Sequence, residues 1–293
     1  WLFGALAGCL VASGSLFLRD LQRRSSDEMH VTFLDVGQGD SVLLEGPGGF
    51  VMLVDGGGRY DESFDTGARV VEPVLRARGI GRVDLVVLSH PHPDHLNGLL
   101  RILARFPVGA LWTSGDDGRN PKYRELMNLA RERGINTPTP APFEHKGVRV
   151  QPLGPWMGDR VGPPPGLDVN NASLVLRVSY AGRSVLLTGD IGIDGEAELV
   201  ARKDVGFPLA SDVIKVPHHG SRTSSSDMLL ASVRPSLAVV SVGKHNTFHL
   251  PSSATLARYE SRGVPVHRTD REGAVTVTVD SQGRLKLQCQ RGC

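Results

Sequence analysis

Apolar residues in this chain fall into short runs that end abruptly in glycine, histidine and aspartate. Residues 30–34, 41–45 and 50–54 are runs of strand length. Two glycine-bearing turns separate them, Asp35-Val36-Gly37-Gln38-Gly39-Asp40 and Gly46-Pro47-Gly48-Gly49, and the third run ends in Asp55-Gly56-Gly57-Gly58. This pattern predicts a meander with its loops at alternating ends. A helix is expected over 65–78, with Val70, Val71, Val74 and Leu75 facing inward and Pro73 placed awkwardly inside it. Residues 83–88 read as a buried strand. After them Leu96, Leu99, Leu100, Leu103 and Phe106 recur at three- and four-residue intervals, as an amphipathic helix requires. A strand over 108–113 and a helix over 121–133 follow, the helix with proline near its start and Gly134 after its end.

Residues 138–166 are proline-rich and irregular apart from a strand over 148–153, as in an insertion running over a surface. A hairpin over 174–187 turns at Ala181-Gly182 and ends in Thr188-Gly189-Asp190. Buried strands over 213–216 and 237–242 end in Pro217-His218-His219-Gly220-Ser221 and Gly243-Lys244-His245-Asn246. A helix over 254–262 and a closing hairpin over 274–288 complete the chain. Two successive halves, each of strands then helices, imply two sheets packed face to face with helices outside.

Composition narrows the class. At 293 residues and 40% hydrophobic content the chain has enough apolar material for a proper core. A formal net charge of +2 gives no global pull towards nucleic acid, so an anionic substrate must be gripped locally. The three cysteines, Cys9, Cys289 and Cys293, make no zinc framework, although the last two are placed to pair in an oxidising compartment. Residues 1–18 are apolar or small and uncharged, at the low end of the length needed to span a membrane. Without an initiator Met or a basic leader they fit a signal peptide poorly. They are read as the end of a transmembrane segment that, with its linker, occupies 1–24 of a chain cropped from a longer membrane protein; a buried helix is the alternative. Arg19, Arg23 and Arg24 on its flank would by charge bias put the downstream domain in the cytoplasm.

The chemistry concentrates in Ser89-His90-Pro91-His92-Pro93-Asp94-His95. Three imidazoles and a carboxylate follow a buried strand and precede an amphipathic helix. His90 and His92, two apart, can point one way and Asp94 and His95 another, so one loop can serve two neighbouring cations. Asp190, at a later strand end, is suited to bridge them, with His218-His219 at a third. Asp40 and Asp55 sit in loops at the same sheet end, where either turn formation or a site rim would account for them.

These motifs together resemble the metallo-β-lactamase fold superfamily, over roughly residue 29 to the C-terminus. Within it they resemble the C-terminal domain of the ComEC competence (DNA-uptake) channels. The resemblance rests on Asp35–Asp40, Val54-Asp55-Gly56-Gly57, His90–His95, Asn170-Asn171-Ala172-Ser173-Leu174-Val175-Leu176, Leu187–Asp190, Lys215–Ser221 and Gly273–Val277, in the family's order. It implies an α/β (α+β) αββα four-layer sandwich over 29–290, made of two packed mixed sheets with outer helices. It also implies two divalent cations, Mn or Zn: His90 and His92 on the first, Asp94, His95 and His219 on the second, and Asp190 bridging. Val-Pro-His-His-Gly overlays the superfamily's usual Val-Pro-Gly-His-Gly, which favours His219 as ligand and leaves His218 either supporting the ligands from behind or facing phosphate. Asn170 and Asn171 stand where most members carry a further histidine, and this departure either shifts the preference from zinc towards manganese or leaves one site partly filled. In Asn246-Thr247-Phe248-His249-Leu250-Pro251, His249 stands where relatives have glycine.

The function so implied is a metal-dependent phosphodiesterase, a nuclease acting on DNA within a competence channel and degrading the non-transforming strand. Asp94, His218, His249 and Lys244 are the expected catalytic groups, and Asn170, Asn171, Ser221, Asn246 and Arg222 the expected substrate contacts. Arg59, Arg119 and Lys122 are further candidates for phosphate. The expected partners are DNA, the membrane and the remainder of the channel. The expected location is the cell membrane with the hydrolase domain outside the cytoplasm, against the arginine bias. A hydrolase of a smaller phosphodiester or other small substrate, and a non-catalytic DNA-binding or gating domain, are the alternatives.

Overall fold

Strands that are apolar on both faces need a layer on each side, and the architecture supplies one. The computed structural model describes residues 21, 23–61, 63–115, 120–154, 168–202 and 208–293. The apolar stretch 1–18 and Arg119 lie outside the described residues. Among the described residues no helix is long and apolar enough to cross a membrane.

The chain opens with β1 (Met29–Phe33), β2 (Val42–Gly46), β3 (Phe50–Val54), β4 (Val83–Leu88) and β5 (Val108–Thr113). A second sheet follows as β6 (Phe143–His145), β7 (Val148–Gly154), β8 (Val175–Tyr180), β9 (Arg183–Leu187), β10 (Val213–Lys215), β11 (Leu237–Val240) and β12 (Val266–Arg268). The hairpin β13 (Val275–Val279) and β14 (Leu285–Cys289) then returns to pair beside β1. Among the described residues each sheet has seven strands, ordered β14-β13-β1-β2-β3-β4-β5 and β12-β11-β10-β9-β8-β7-β6. Both are mixed: β3, β4 and β5 run parallel, as do β9 to β12.

Alternation along the strands sorts the core into layers. Met52, Val54, Leu85 and Val87 point to the inter-sheet core and meet Leu176, Val178, Val185 and Leu187 of the second sheet. Their neighbours Val51, Leu53, Val86 and Leu88 face the other way, onto Leu96, Leu99, Ile102 and Leu103 of the helix Pro93–Arg105. On the far side Leu186, Ile214 and Val240 pack against Leu199, Leu229 and Tyr259, from the helices Ile193–Ala201, Asp227–Val233 and Ser253–Glu260. The result is the four-layer αββα sandwich.

Three local departures have physical causes. The helix expected over 65–78 is a wide turn, Gly67–Val71, followed by Glu72–Ala77, which places Pro73 in a first turn where its missing N–H costs nothing. The stretch expected to be irregular contains an edge hairpin, since Phe143–His145 pairs with β7. The helices Ile193–Ala201 and Asp227–Val233 are too short to show a clear period, although Ser226 caps the second by accepting from the Leu229 N–H at 3.2 Å.

The glycine turns of the first sheet are close-approach points. Gly39 (φ 120°) packs on the Asp94 carbonyl, and Gly98 lies against the Gly56 carbonyl oxygen with no room for a Cβ. The Gly56 N–H in turn donates to the His95 carbonyl at 2.7 Å. Gly98→Ala is therefore expected to push the Pro93–Arg105 helix off the first sheet. The cost should be about 1–3 kcal/mol or more of stability in urea unfolding; a wild-type midpoint would refute the contact.

Candidate metal centre

Parallel pairing brings the carboxyl ends of strands to a common edge, and the polar motifs collect there. After β4, Ser89 and His90 are fully buried, His92 caps the helix, and Pro93 takes the first helical position. Asp94 and His95 lie on the first turn of that helix. From the other sheet β9 delivers Asp190 and β10 delivers His218 and His219, both with left-handed backbone (φ 49° and 52°). A Ser173 hydroxyl between the sheets accepts from the Asp190 N–H at 3.0 Å and lies 3.3 Å from His90 Nδ1.

Asp94, His95, Asp190 and His219, all buried, present one donor atom each within 4.8 Å of one another. Asp190 Oδ2 lies 3.3 Å from His95 Nε2 and 3.1 Å from His219 Nε2; Asp94 Oδ2 lies 3.6 Å from His219 Nε2 and 4.0 Å from His95 Nε2. A tetrahedral cation with bonds of about 2.0–2.2 Å has edges of roughly 3.4 Å, so this set has the dimensions of a metal cage. His90 Nε2, His95 Nε2, His219 Nε2 and Asp94 Oδ1 are buried and make no hydrogen bond, which is the condition of donors awaiting a ligand. His90 and His92 stand alongside, their rings 4.8 Å apart and the His90 ring 4.1 Å from that of His95, but they are not part of the four-donor set.

The surroundings aim these donors. His95 Nδ1 is 2.9 Å from Asp55 Oδ2, and His219 Nδ1 is 2.9 Å from the Ser241 carbonyl, so in each ring Nε2 is the atom left for a cation. Asp55 is fixed in turn by the Ser89 N–H and hydroxyl, both at 2.7 Å. Lys215, 1% exposed, lies with its ammonium 2.5 Å from Asp40 Oδ2, 3.2 Å from Asp190 Oδ1 and 2.8 Å from the Gly189 carbonyl. It holds one oxygen of Asp190 and leaves the other to the cage. Burial opposes charge on His219, but Asp190 and Asp40 overcome it and push its pKa up to about 10. His95 is raised well above the usual imidazole range for the same reason, against its own burial, by Asp190, Asp55 and Asp94. Burial likewise opposes charge on Asp190, yet His219, His95 and Lys215 hold it well below the carboxylate range. His90 moves the other way: burial and then the neighbouring His95 push it well down, as a neutral ligand requires.

The other expected residues divide. Lys244 lies on the rim of a groove of about 610 Å³ that Asp94 also lines, together with Arg59, Tyr60, Asn246 and Phe248. The Asn246 amide is committed to its own loop, with bonds to Gly243 and Leu250. Asn171 accepts from the Gly192 and Gly195 N–H groups at 2.8 and 2.9 Å and so organises a helix start, whereas Asn170 keeps a buried carbonyl oxygen without a hydrogen bond. Ser221 bonds to Thr223, Arg222 and His249 are exposed, and Lys122 pairs with Glu125; none of the four joins the donor set. His218 is half-buried beside His219, and burial lowers its pKa. Sequence reasoning missed Lys215 as a working residue, although a lone charge in an apolar strand was the signal. It also gave no role to Ser173 and Phe248, although both lie in motifs it singled out, or to the exposed Tyr60, which lies in none.

A profile described as the metallo-beta-lactamase superfamily matches residues 34–245, and the chain belongs to that superfamily. Its fold implies divalent metal binding, and family and fold support a metal-dependent hydrolase. Among particular proteins, the chain is 31% identical over 275 residues to ComE operon protein 3 of Bacillus subtilis (strain 168), covering 89% of this chain and 34% of that protein. It is 32% identical over 267 residues to Competence protein ComA of Neisseria gonorrhoeae, with the same 89% and 34% coverage. The chain thus spans about a third of the length of these curated relatives, and they carry the ComEC resemblance seen in the motifs. The metallo-beta-lactamase fold protein YhfI from Bacillus subtilis superposes with a TM-score of 0.51 at 13% identity, covering 90% of this chain and all of that one; it shows the fold alone.

Two outcomes follow. A cation entering the cage displaces the protons on His95 and His219. Binding at neutral pH should therefore release protons and strengthen as pH rises towards 10; a calorimetric enthalpy that is the same in buffers of different ionisation enthalpy would contradict this. Lys215→Met leaves Asp40 and Asp190 facing each other and should cost roughly 3–5 kcal/mol in denaturant unfolding, with part of the loss restored by adding Asp40→Asn.

Proposed function

We propose that this chain hydrolyses DNA phosphodiesters as the nuclease domain of a DNA-uptake system, using two divalent cations, Mn or Zn. The observation that carries the reading is the groove. The donor residue Asp94 opens onto a surface where Arg59 and Lys244 supply positive charge and two large aromatics, Tyr60 and Phe248, are 59% and 58% exposed. Aromatic faces beside cationic side chains suit the stacked bases and phosphates of a single strand. A small-molecule hydrolase would instead enclose its ligand. The relatives' names, a competence protein and a ComE operon product, point to the same process.

In this reading His90, His92, Asp94, His95, Asp190 and His219 would hold the cations, with Asp190 serving both. Divalent cations there supply Lewis acidity at the phosphate and lower the pKa of a water. Asp94, with its free Oδ1, takes the proton of the attacking water. Lys244 neutralises charge growing on the phosphate. The Tyr60 phenol, held protonated by burial and then by Asp94, stands ready to donate to the leaving oxygen. His218, half-buried beside His219, would contact the phosphate, and Asn170 would offer its spare oxygen. The domain works on the outer face of the membrane, joined to the rest of the channel, and the disulfide Cys289–Cys293 is in keeping with an oxidising compartment.

Labelled single- and double-stranded DNA incubated with the protein and Mn or Zn should be cleaved, and His92→Ala should abolish cleavage. No cleavage in either metal would favour a gating role. Tyr60→Ala and Phe248→Ala should each weaken single-strand binding by about 1 kcal/mol or more while leaving hydrolysis of a small chromogenic phosphodiester by Phe248→Ala unchanged. Equal loss on both substrates would point to the small-substrate hydrolase.

A further inference from the structure

At the sandwich edge formed by β12 and β14, His267, Glu272, Cys289 and Cys293 bring one donor atom each to within 4.8 Å of one another. None of them belongs to the metal centre. His267 Nδ1 is 2.8 Å from Glu272 Oε2, and Cys289 Sγ is 3.3 Å from Glu272 Oε2 and 3.9 Å from His267 Nδ1. Backbone hydrogen bonds support this arrangement beside the sulfurs. The Arg291 N–H donates to the Glu272 carbonyl at 2.8 Å, and the Gly292 N–H donates to the Cys289 carbonyl at 3.3 Å, which turns the chain so that Cys293 returns over Cys289. With the disulfide formed, both sulfurs are committed to each other.

We propose that these four residues form a second metal site, selective for zinc-class cations and available only when the disulfide is reduced. A dithiol reductant transfers two electrons to the S–S bond, and two protons complete the two thiols while the reductant closes its own disulfide. A cation then forms two bonds to sulfur as the thiols release those protons. His267 Nδ1, in the tautomer with its proton on Nε2, and one Glu272 oxygen complete the set. Two thiolates, an imidazole and a carboxylate in a tetrahedron are a zinc donor set, with edges of roughly 3.4–3.8 Å. The contacts at 3.3 and 3.9 Å lie just outside that range; the sulfurs must part and the His267–Glu272 contact must open slightly. The location gives the site a consequence. His267 lies on β12, the edge of one sheet, and Cys289 on β14, the edge of the other. Coordination would therefore join the two sheets where the disulfide joins only a strand to its own tail.

The test uses the full chain in a Cys9→Ser background, reduced with a phosphine that is then removed, and titrated with Co(II). The reading is the thiolate-to-cobalt charge-transfer band, which the catalytic centre, having only nitrogen and oxygen donors, cannot give. The band should appear in the reduced protein, be displaced by Zn(II), and be absent from the oxidised protein. Cys293→Ser should abolish it and His219→Ala should leave it intact. His267→Ala and Glu272→Ala, each checked by far-UV dichroism to be folded, should weaken affinity by more than the roughly tenfold that losing an outer partner costs. No band in the reduced protein, a band in the oxidised one, or unchanged affinity in either single variant would overturn the site.

Discussion

Four carboxylates, Asp40, Asp55, Asp94 and Asp190, share one buried seam between the sheets, and like charges in a low dielectric repel strongly. The surrounding structure answers that repulsion. Lys215 reaches into it from the second sheet and sits between Asp40 and Asp190. His95 faces Asp55 on one side and Asp190 on the other, and His219 spans Asp190, Asp94 and Asp40. Positive charge is thus the element the seam demands, and divalent cations supply it most compactly. The same demand explains why the loops carrying these residues pack so tightly, since a carboxylate that drifted would leave its partner uncompensated.

Much of this was legible in the amino-acid order. Strands β3, β4 and β5 fall at the residues their apolar runs predict, because strands facing a packed layer leave short, largely hydrophobic stretches bounded by turn residues, even where, as in the edge strand β5, burial is partial. Asp94, His95, Asp190 and His219 could be grouped because parallel strands deliver their carboxyl ends to one edge. What stayed hidden depends on distance between segments remote in sequence. Nothing near Lys215 says that Asp40 lies 2.5 Å away, and nothing near Ser173 says that its hydroxyl serves Asp190. Aspartate at residues 40 and 55 is ordinary turn chemistry until burial shows otherwise. Short helices such as Asp227–Val233 give two turns of pattern, too few to rise above chance.

The four-donor set at the centre and the sulfur-bearing cluster at the margin differ in a way that clarifies each. The central one is built of hard and borderline donors, is wholly buried, and draws ligands from both sheets. The peripheral one contains sulfur, is partly exposed, and lies at the open margin of the sandwich, where redox partners have access. Their separation means that events at the margin reach the centre only through the sheets. The path is short on the first sheet, where β14 and β13 adjoin β1, whose end leads into the Asp35–Asp40 loop; Arg291 also pairs with Asp35 at 2.9 Å.

The sheets are also tied directly at the centre, because the Leu174 N–H donates to the Ser89 carbonyl at 2.8 Å, next to the Ser173 hydroxyl shared by Asp190 and His90. That stitch fixes the direction of traffic. Nothing threads between the layers there, so whatever the centre acts on has to reach it from outside and leave by the same mouth.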